Sequence, residues 1–127
     1  MTDRFAEIRP VLQTYFDALY TCDVTLLAQV FHPRAVYATA DETPPLIRSM
    51  EEYFPVVEKR ISPMSRNEAR RDVIDSIDLA GDNTAMARVR CRINAHDFTD
   101  FLTLIREDGQ WRIMSKVFAM TERKEAR

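Results

Sequence analysis

The sequence has few of the side chains from which metal and redox centres are built. Two cysteines, Cys22 and Cys91, and two histidines, His32 and His96, are scattered through 127 residues. No two of them have the spacing of zinc ligands, so no metal is expected, and nothing implies a disulfide. Long apolar runs are missing too: no segment approaches the ~20 residues that cross a bilayer. The opening "MTDRFAEIRP" brings an acid at once where a secretory leader would have an apolar core, so no membrane and a cytoplasmic location are expected. Basic charge is not in excess, since 18 Lys and Arg stand against 20 Asp and Glu for a net charge of -2. A nucleic-acid surface would need a basic excess. The nearest approach, Arg66, Arg70 and Arg71 with Arg88, Arg90 and Arg92, is balanced by Asp72, Asp75 and Asp78. No Ser-His-Asp set, phosphate loop or carboxylate pair with acid/base spacing can be assembled.

What is present is a globular composition, 46% hydrophobic and 30% charged with the charges interspersed, in a length that suits one domain over residues 1–127. Phe5, Ile8, Leu12, Tyr15, Phe16 and Leu19 recur at three- and four-residue steps and predict a first amphipathic helix from Arg4 to Tyr20, bent at most in its first turn by Pro10. "TCDVTLLAQVF" predicts a short second helix with Asp23 as N-cap, ended by Pro33. "RAVYATA" reads as a strand and "DETPP" as a turn. "SMEEYFPVVEKRI" opens with the Ser49/Glu52 spacing of a capping box, and Pro55 in its second turn predicts a kink or a delayed start. From Val73 onward the period is two: a strand through Ile77 and Leu79, a turn at "AGDN", then Ala85, Ala87, Val89, Cys91 and Ile93 alternating with Met86, Arg88, Arg90 and Arg92. "FTDFLTLIRE" and "QWRIMSKVFAM" follow, joined at Asp108-Gly109, a strong hairpin signal. Helices first and an antiparallel meander afterwards make an α+β domain with its helices on one side of a sheet.

One residue does not suit its strand. Lys116 sits among Ile113, Met114, Val117 and Phe118. If Asp108 and Gly109 form a primed turn, regular alternation places Lys116 opposite Phe101. One sheet face then collects Phe101, Thr103, Met114, Lys116 and Phe118, and the other Asp100, Leu102, Leu104, Trp111 and Ile113. Both faces are apolar, whereas the chain has helices enough to cover only one. The mixed face suits a pocket, and the face with Leu102, Leu104, Trp111 and Ile113 suits a homodimer interface. Asp100 falls on the face opposite Lys116, and a pair between them requires a bulge. The lysine stem can equally run along apolar surface to water. His32 is expected to cap a helix or face solvent, and His96 to be exposed.

"YFDALYTCDVTLLAQVFHPRAVY", "SMEEYF", "SIDLAGDNTAMARVRCRI" and "FTDFLTLIREDGQWRIMSKVF", in that order, resemble the nuclear transport factor 2-like superfamily, and within it the branch of putative lumazine-binding proteins. The resemblance spans nearly the whole chain. It implies a cystatin-like, cone-shaped fold, in which a curved antiparallel sheet wraps around N-terminal helices, encloses a pocket and commonly dimerises through the sheet. It also implies that Tyr15 holds the place of ketosteroid isomerase's catalytic tyrosine, while Thr39 and Thr103 stand where that enzyme has its two carboxyl groups. A threonine is too weak a base, so that mechanism is not expected. Lys116, Phe118 and Met120 fall at pocket-lining positions, Cys22 replaces a glycine frequent in relatives, and Pro55 is foreign to the third helix. The expectation is a cofactor-free pocket protein binding a small, partly apolar or aromatic molecule. Its ligand-binding candidates are Tyr15, Tyr37, Tyr53, Phe101, Thr103, Met114, Lys116 and Phe118. Two alternatives are a cofactor-independent lyase or isomerase using Lys116, and a dimeric scaffold with a vestigial pocket.

Overall fold

The structure is a computed structural model that describes residues 3–122; the flanks of the expected domain, residues 1–2 and 123–127, lie outside the described residues. Helix α1 (Arg4–Thr21) starts where Asp3 accepts hydrogen bonds from the N–H groups of Phe5 and Ala6. Its stripe of Ile8, Leu12, Tyr15, Phe16 and Leu19 is buried, and Pro10 lies inside the helix without dividing it. The helix ends at Cys22, which is left-handed (φ 55°, ψ 42°). Asp23 then caps α2 (Val24–Val30) through the N–H groups of Thr25 and Leu26.

Strand β1 (Phe31–Thr39) begins directly after α2, earlier than Pro33 predicts. A short strand β2 (Leu46–Ser49), not expected from the sequence, precedes α3 (Met50–Lys59). The capping box between Ser49 and Glu52 is complete, so α3 starts on time despite Pro55. A 3-10 turn (Met64–Arg66) leads to β3 (Val73–Ala80), β4 (Thr84–Ile93), β5 (His96–Glu107) and β6 (Gln110–Glu122).

The six strands form one open sheet in the order β2-β1-β6-β5-β4-β3. Every neighbouring pair is antiparallel except β1 and β6, which run parallel. The expected antiparallel sheet is therefore mixed: β1 is inserted beside the last strand, and the intervening chain serves as the crossover that a parallel pair needs. The expected α+β architecture, with helices packed on one face of the sheet, is the one adopted.

The β5–β6 hairpin begins as the sequence predicts. Asp108 and Gly109 both have positive φ (52° and 76°), as a type I′ turn requires, and Glu107 faces Gln110. The register then slips. Leu104 pairs with Ile113 but Thr103 pairs with Ser115, leaving Met114 as one extra residue on β6. This bulge reverses the facing of every residue beyond it relative to regular alternation. Lys116 consequently stands opposite Leu102, not Phe101.

The expected division of faces is corrected accordingly. Leu102, Leu104 and Ile113 are completely buried and Trp111 nearly so, against the helices and not at a subunit interface. Phe101, expected in the pocket, lies on the outer face at 49% exposure beneath the Arg88 guanidinium. Thr103 is also outside, its hydroxyl 2.5 Å from that of Ser115. The inner face combines Ala85, Ala87 and Val89 of β4 with Asp100, Leu102, Leu104, Ile113, Lys116 and Phe118.

Candidate ligand-binding site around Lys116

The bulge brings a base and an acid together inside the protein. Lys116 is 2% exposed and Asp100 is fully buried, and Lys116 Nζ lies 3.9 Å from Asp100 Oδ2. The same oxygen accepts a 2.5 Å hydrogen bond from the hydroxyl of Tyr15, which α1 delivers from above the sheet. Two charges removed from water need each other, since either alone would cost several kcal/mol. Burial is the largest influence and pulls the Lys116 pKa down, but the Asp100 carboxylate, together with smaller contributions from Tyr53, Cys91 and Tyr37, reverses it and holds the ammonium above its ordinary value. Burial, and then the adjacent carboxylate, push the Tyr15 phenol well above its ordinary value.

Aromatic rings enclose this pair. Lys116 Nζ is 5.2 Å from the ring centroids of Tyr15 and Phe118, 5.6 Å from those of Tyr37 and Tyr53, and 5.9 Å from that of Phe98. Such rings present their negative faces to a cation and partly replace its hydration. Tyr37 and Tyr53 stack at 4.3 Å, and Phe118 packs against Tyr37 at 4.8 Å. Hydrogen bonding is incomplete, however: Asp100 Oδ1 and the Tyr53 hydroxyl are buried with no partner among the described residues.

Beside the cage is a cleft of about 320 Å³. Tyr37, Phe98 and Phe118 form the wall it shares with the cage, and Arg48, Arg60 and His96 bring polar groups to its lining. The Arg48 guanidinium lies 5.8 Å over the Tyr37 ring. Burial pushes the Tyr37 phenol upward, against the opposing pull of Lys116. The cleft thus combines apolar walls with a few charged groups, Arg48, Arg60 and Glu42, the usual make-up of a small-molecule site, and the buried polar cluster lies behind the shared aromatic wall.

Of the candidate residues, Tyr15, Tyr37, Tyr53, Lys116 and Phe118 come together here. Phe101 and Thr103 are outside, and Met114, half-buried, is the bulge itself. Asp100, Arg48, Arg60, Phe98 and His96 were not among the candidates. Asp100 is the one with a legible signal, an acid directly before the apolar pair Phe101 and Leu102. His32 is elsewhere: its Nδ1 accepts from the Arg34 N–H and its Nε2 lies 3.5 Å from Glu107. Strand β1 has no carboxylate, and Thr39, buried there, accepts a hydrogen bond from the Asp41 N–H. The carboxyl group supplied by a late strand is that of Asp100 and not the place of Thr103.

Residues 3–119 match the family model described as "Putative lumazine-binding". The chain belongs to that family. Among solved structures, an NTF-2 like protein of unknown function from Silicibacter pomeroyi DSS-3 is 26% identical with a TM-score of 0.85, covering 95% of this chain and 100% of that one. An NTF2-like protein of unknown function from Shewanella baltica OS155 is 24% identical (TM-score 0.83; 93% and 94% covered). One from Methylobacillus flagellatus KT is also 24% identical (TM-score 0.77; 95% and 94% covered). These likenesses establish the NTF2-like fold. No curated protein matches the chain.

Proposed function

We propose that this protein binds a small, partly aromatic molecule in the cleft beside Lys116. The observation that carries this reading is the buried Lys116–Asp100–Tyr15 cluster lying behind the rings of Tyr37, Phe98 and Phe118, which also line the cleft. The Asp100 Oδ1 and Tyr53 hydroxyl without protein partners are groups that a bound molecule with polar atoms can satisfy. The family's description names lumazine, a bicyclic heteroaromatic, and a flat ring of that kind suits walls made of Tyr37, Phe98 and Phe118.

A lyase or isomerase with Lys116 as base would need the neutral amine, which the facing Asp100 disfavours. The cluster suits a fixed cation that orients or polarises what binds. A homodimer remains part of the proposal, with its surface moved to the outer sheet face, where Val36, Met86, Phe101 and Val117 are each 42–50% exposed.

A thermal-shift screen with heteroaromatic fragments tests the cleft. Ligands that prefer the native state raise the melting temperature. Met120 also lines the cleft, and the shifts are expected in the wild type and lost in Met120→Trp, which fills the cleft with an indole. Shifts that persist in Met120→Trp, or none in the wild type, overturn the reading and favour a scaffold.

A further inference from the structure

We infer that Asp100, Lys116 and Tyr53 form a deeper subsite for the edge of a planar heterocycle that carries an N–H donor next to a carbonyl acceptor, as in a cyclic imide or lactam. This rests on the cleft being a small-molecule site, and it specifies which chemistry the inner end of that site accepts.

The inference follows from the hydrogen-bonding capacity that the fold leaves unused. An ionised carboxylate only accepts; Asp100 Oδ2 takes the Tyr15 hydroxyl, while Oδ1 is buried without a donor. The Tyr53 hydroxyl is likewise buried without a partner. The Lys116 ammonium has three N–H donors, and its facing carboxylate oxygen, at 3.9 Å, is beyond hydrogen-bond range. The subsite therefore lacks one donor, for Asp100 Oδ1, and at least one acceptor, for Lys116 and Tyr53.

Ligand classes can be separated on this basis. An anionic head satisfies Lys116 but sets like charges against Asp100 Oδ1. A cationic head satisfies Asp100 but meets the ammonium. A hydrocarbon leaves all three groups unmet, at the full cost of their desolvation. A neutral edge with an adjacent donor and acceptor answers all three at once, and a planar ring is the shape the enclosing aromatic faces accept. Tyr37, Phe98 and Phe118 belong to both cage and cleft, so one of these rings must turn aside to admit such an edge.

Calorimetric titration of the whole chain with phthalimide, N-methylphthalimide and naphthoate tests this. Phthalimide has the imide edge, its methyl derivative lacks the donor, and naphthoate is an anion on a flat ring. Phthalimide is expected to bind at least about tenfold more tightly than either, the scale of one buried hydrogen bond left unmade. Tyr53→Phe is expected to keep its stability, because the lost hydroxyl had no partner, to weaken phthalimide by about tenfold, and to leave naphthoate unchanged. Equal binding of phthalimide and N-methylphthalimide, or undiminished phthalimide binding by Tyr53→Phe, overturns the subsite while leaving the cleft intact. If none of the three binds, the subsite is overturned, and the fragment screen with Met120→Trp decides the cleft independently.

Discussion

The Lys116 ammonium faces the Asp100 carboxylate at 3.9 Å because β6 has one residue more than β5 can pair. Without Met114 as that extra residue, the two side chains would lie on opposite faces, one buried charge without the other. The bulge is thus the feature that makes the polar cluster affordable in the core.

Breaking the pair from one side should be costly. Lys116→Met leaves Asp100 as a buried, uncompensated anion and is expected to cost about 3 kcal/mol in urea unfolding. Lys116→Met combined with Asp100→Asn should cost less than the two single changes added together. Additive losses would mean the two groups do not interact.

Two tyrosines of the cluster should behave oppositely. Tyr15→Phe takes the donor from Asp100 Oδ2 and is expected to cost about 1 to 3 kcal/mol. Tyr53→Phe removes a hydroxyl without a partner and should leave stability equal or higher. Paired denaturation curves check the contrast, and equal losses would contradict it.

Stability should fall on the alkaline side. The pKa values of Tyr15 and Tyr37 are raised in the folded chain from an ordinary 10.0, and that of Lys116 from 10.5. The folded state therefore holds protons that the unfolded state releases, so these contributions are intact below about pH 10 and are lost as pH rises beyond it. Tyrosinate absorbance should show Tyr15 and Tyr37 ionising together with unfolding. Their ionisation in a chain that remains folded would refute this.

Cys22 is strained by its left-handed backbone at φ 55°. Cys22→Gly removes the Cβ clash and is expected to stabilise by about 1 kcal/mol, read as a melting temperature higher by about 4 °C. An unchanged or lower value would mean that the side chain's packing offsets the strain.

Leu102 and Phe101, adjacent in β5, distinguish the core from the outer face proposed as an interface. Leu102→Ala should destabilise by about 2 to 5 kcal/mol at any protein concentration. Phe101→Ala should leave the monomer fold intact and act only through association. A concentration-dependent loss for Leu102→Ala would return that residue to an interface.

Much of this fold is legible from local rules. The helical stripe from Ile8 to Leu19, the Ser49/Glu52 cap, the alternation from Ala85 to Ile93 and the Asp108-Gly109 turn each follow from a period or a backbone preference. The bulge is not legible, for a physical reason. Both sides of "IMSKVF" carry apolar residues, so the pattern looks acceptable in either register and gives no sign of a slip. Unbroken alternation sets Phe101 and Thr103 on the same face as Lys116 and Asp100 on the other, so the sequence points to the first two and away from Asp100. Arg48, Arg60 and His96 reach the cleft through long-range placement of β2, α3 and β5, which no local pattern encodes. Strand β2 is illegible because its four residues are too few for a period to emerge.

The parallel pairing of β1 with β6 also bears on how the chain assembles. Strand β1 meets one of its two neighbours only when the final strand has been made, so during synthesis the N-terminal part carries an open strand edge for most of its time on the ribosome. Loop closure over that separation makes the pairing intrinsically slow. The hairpins at the C-terminal end have short connections and favourable turns, and they are placed to form first as the template against which β1 docks.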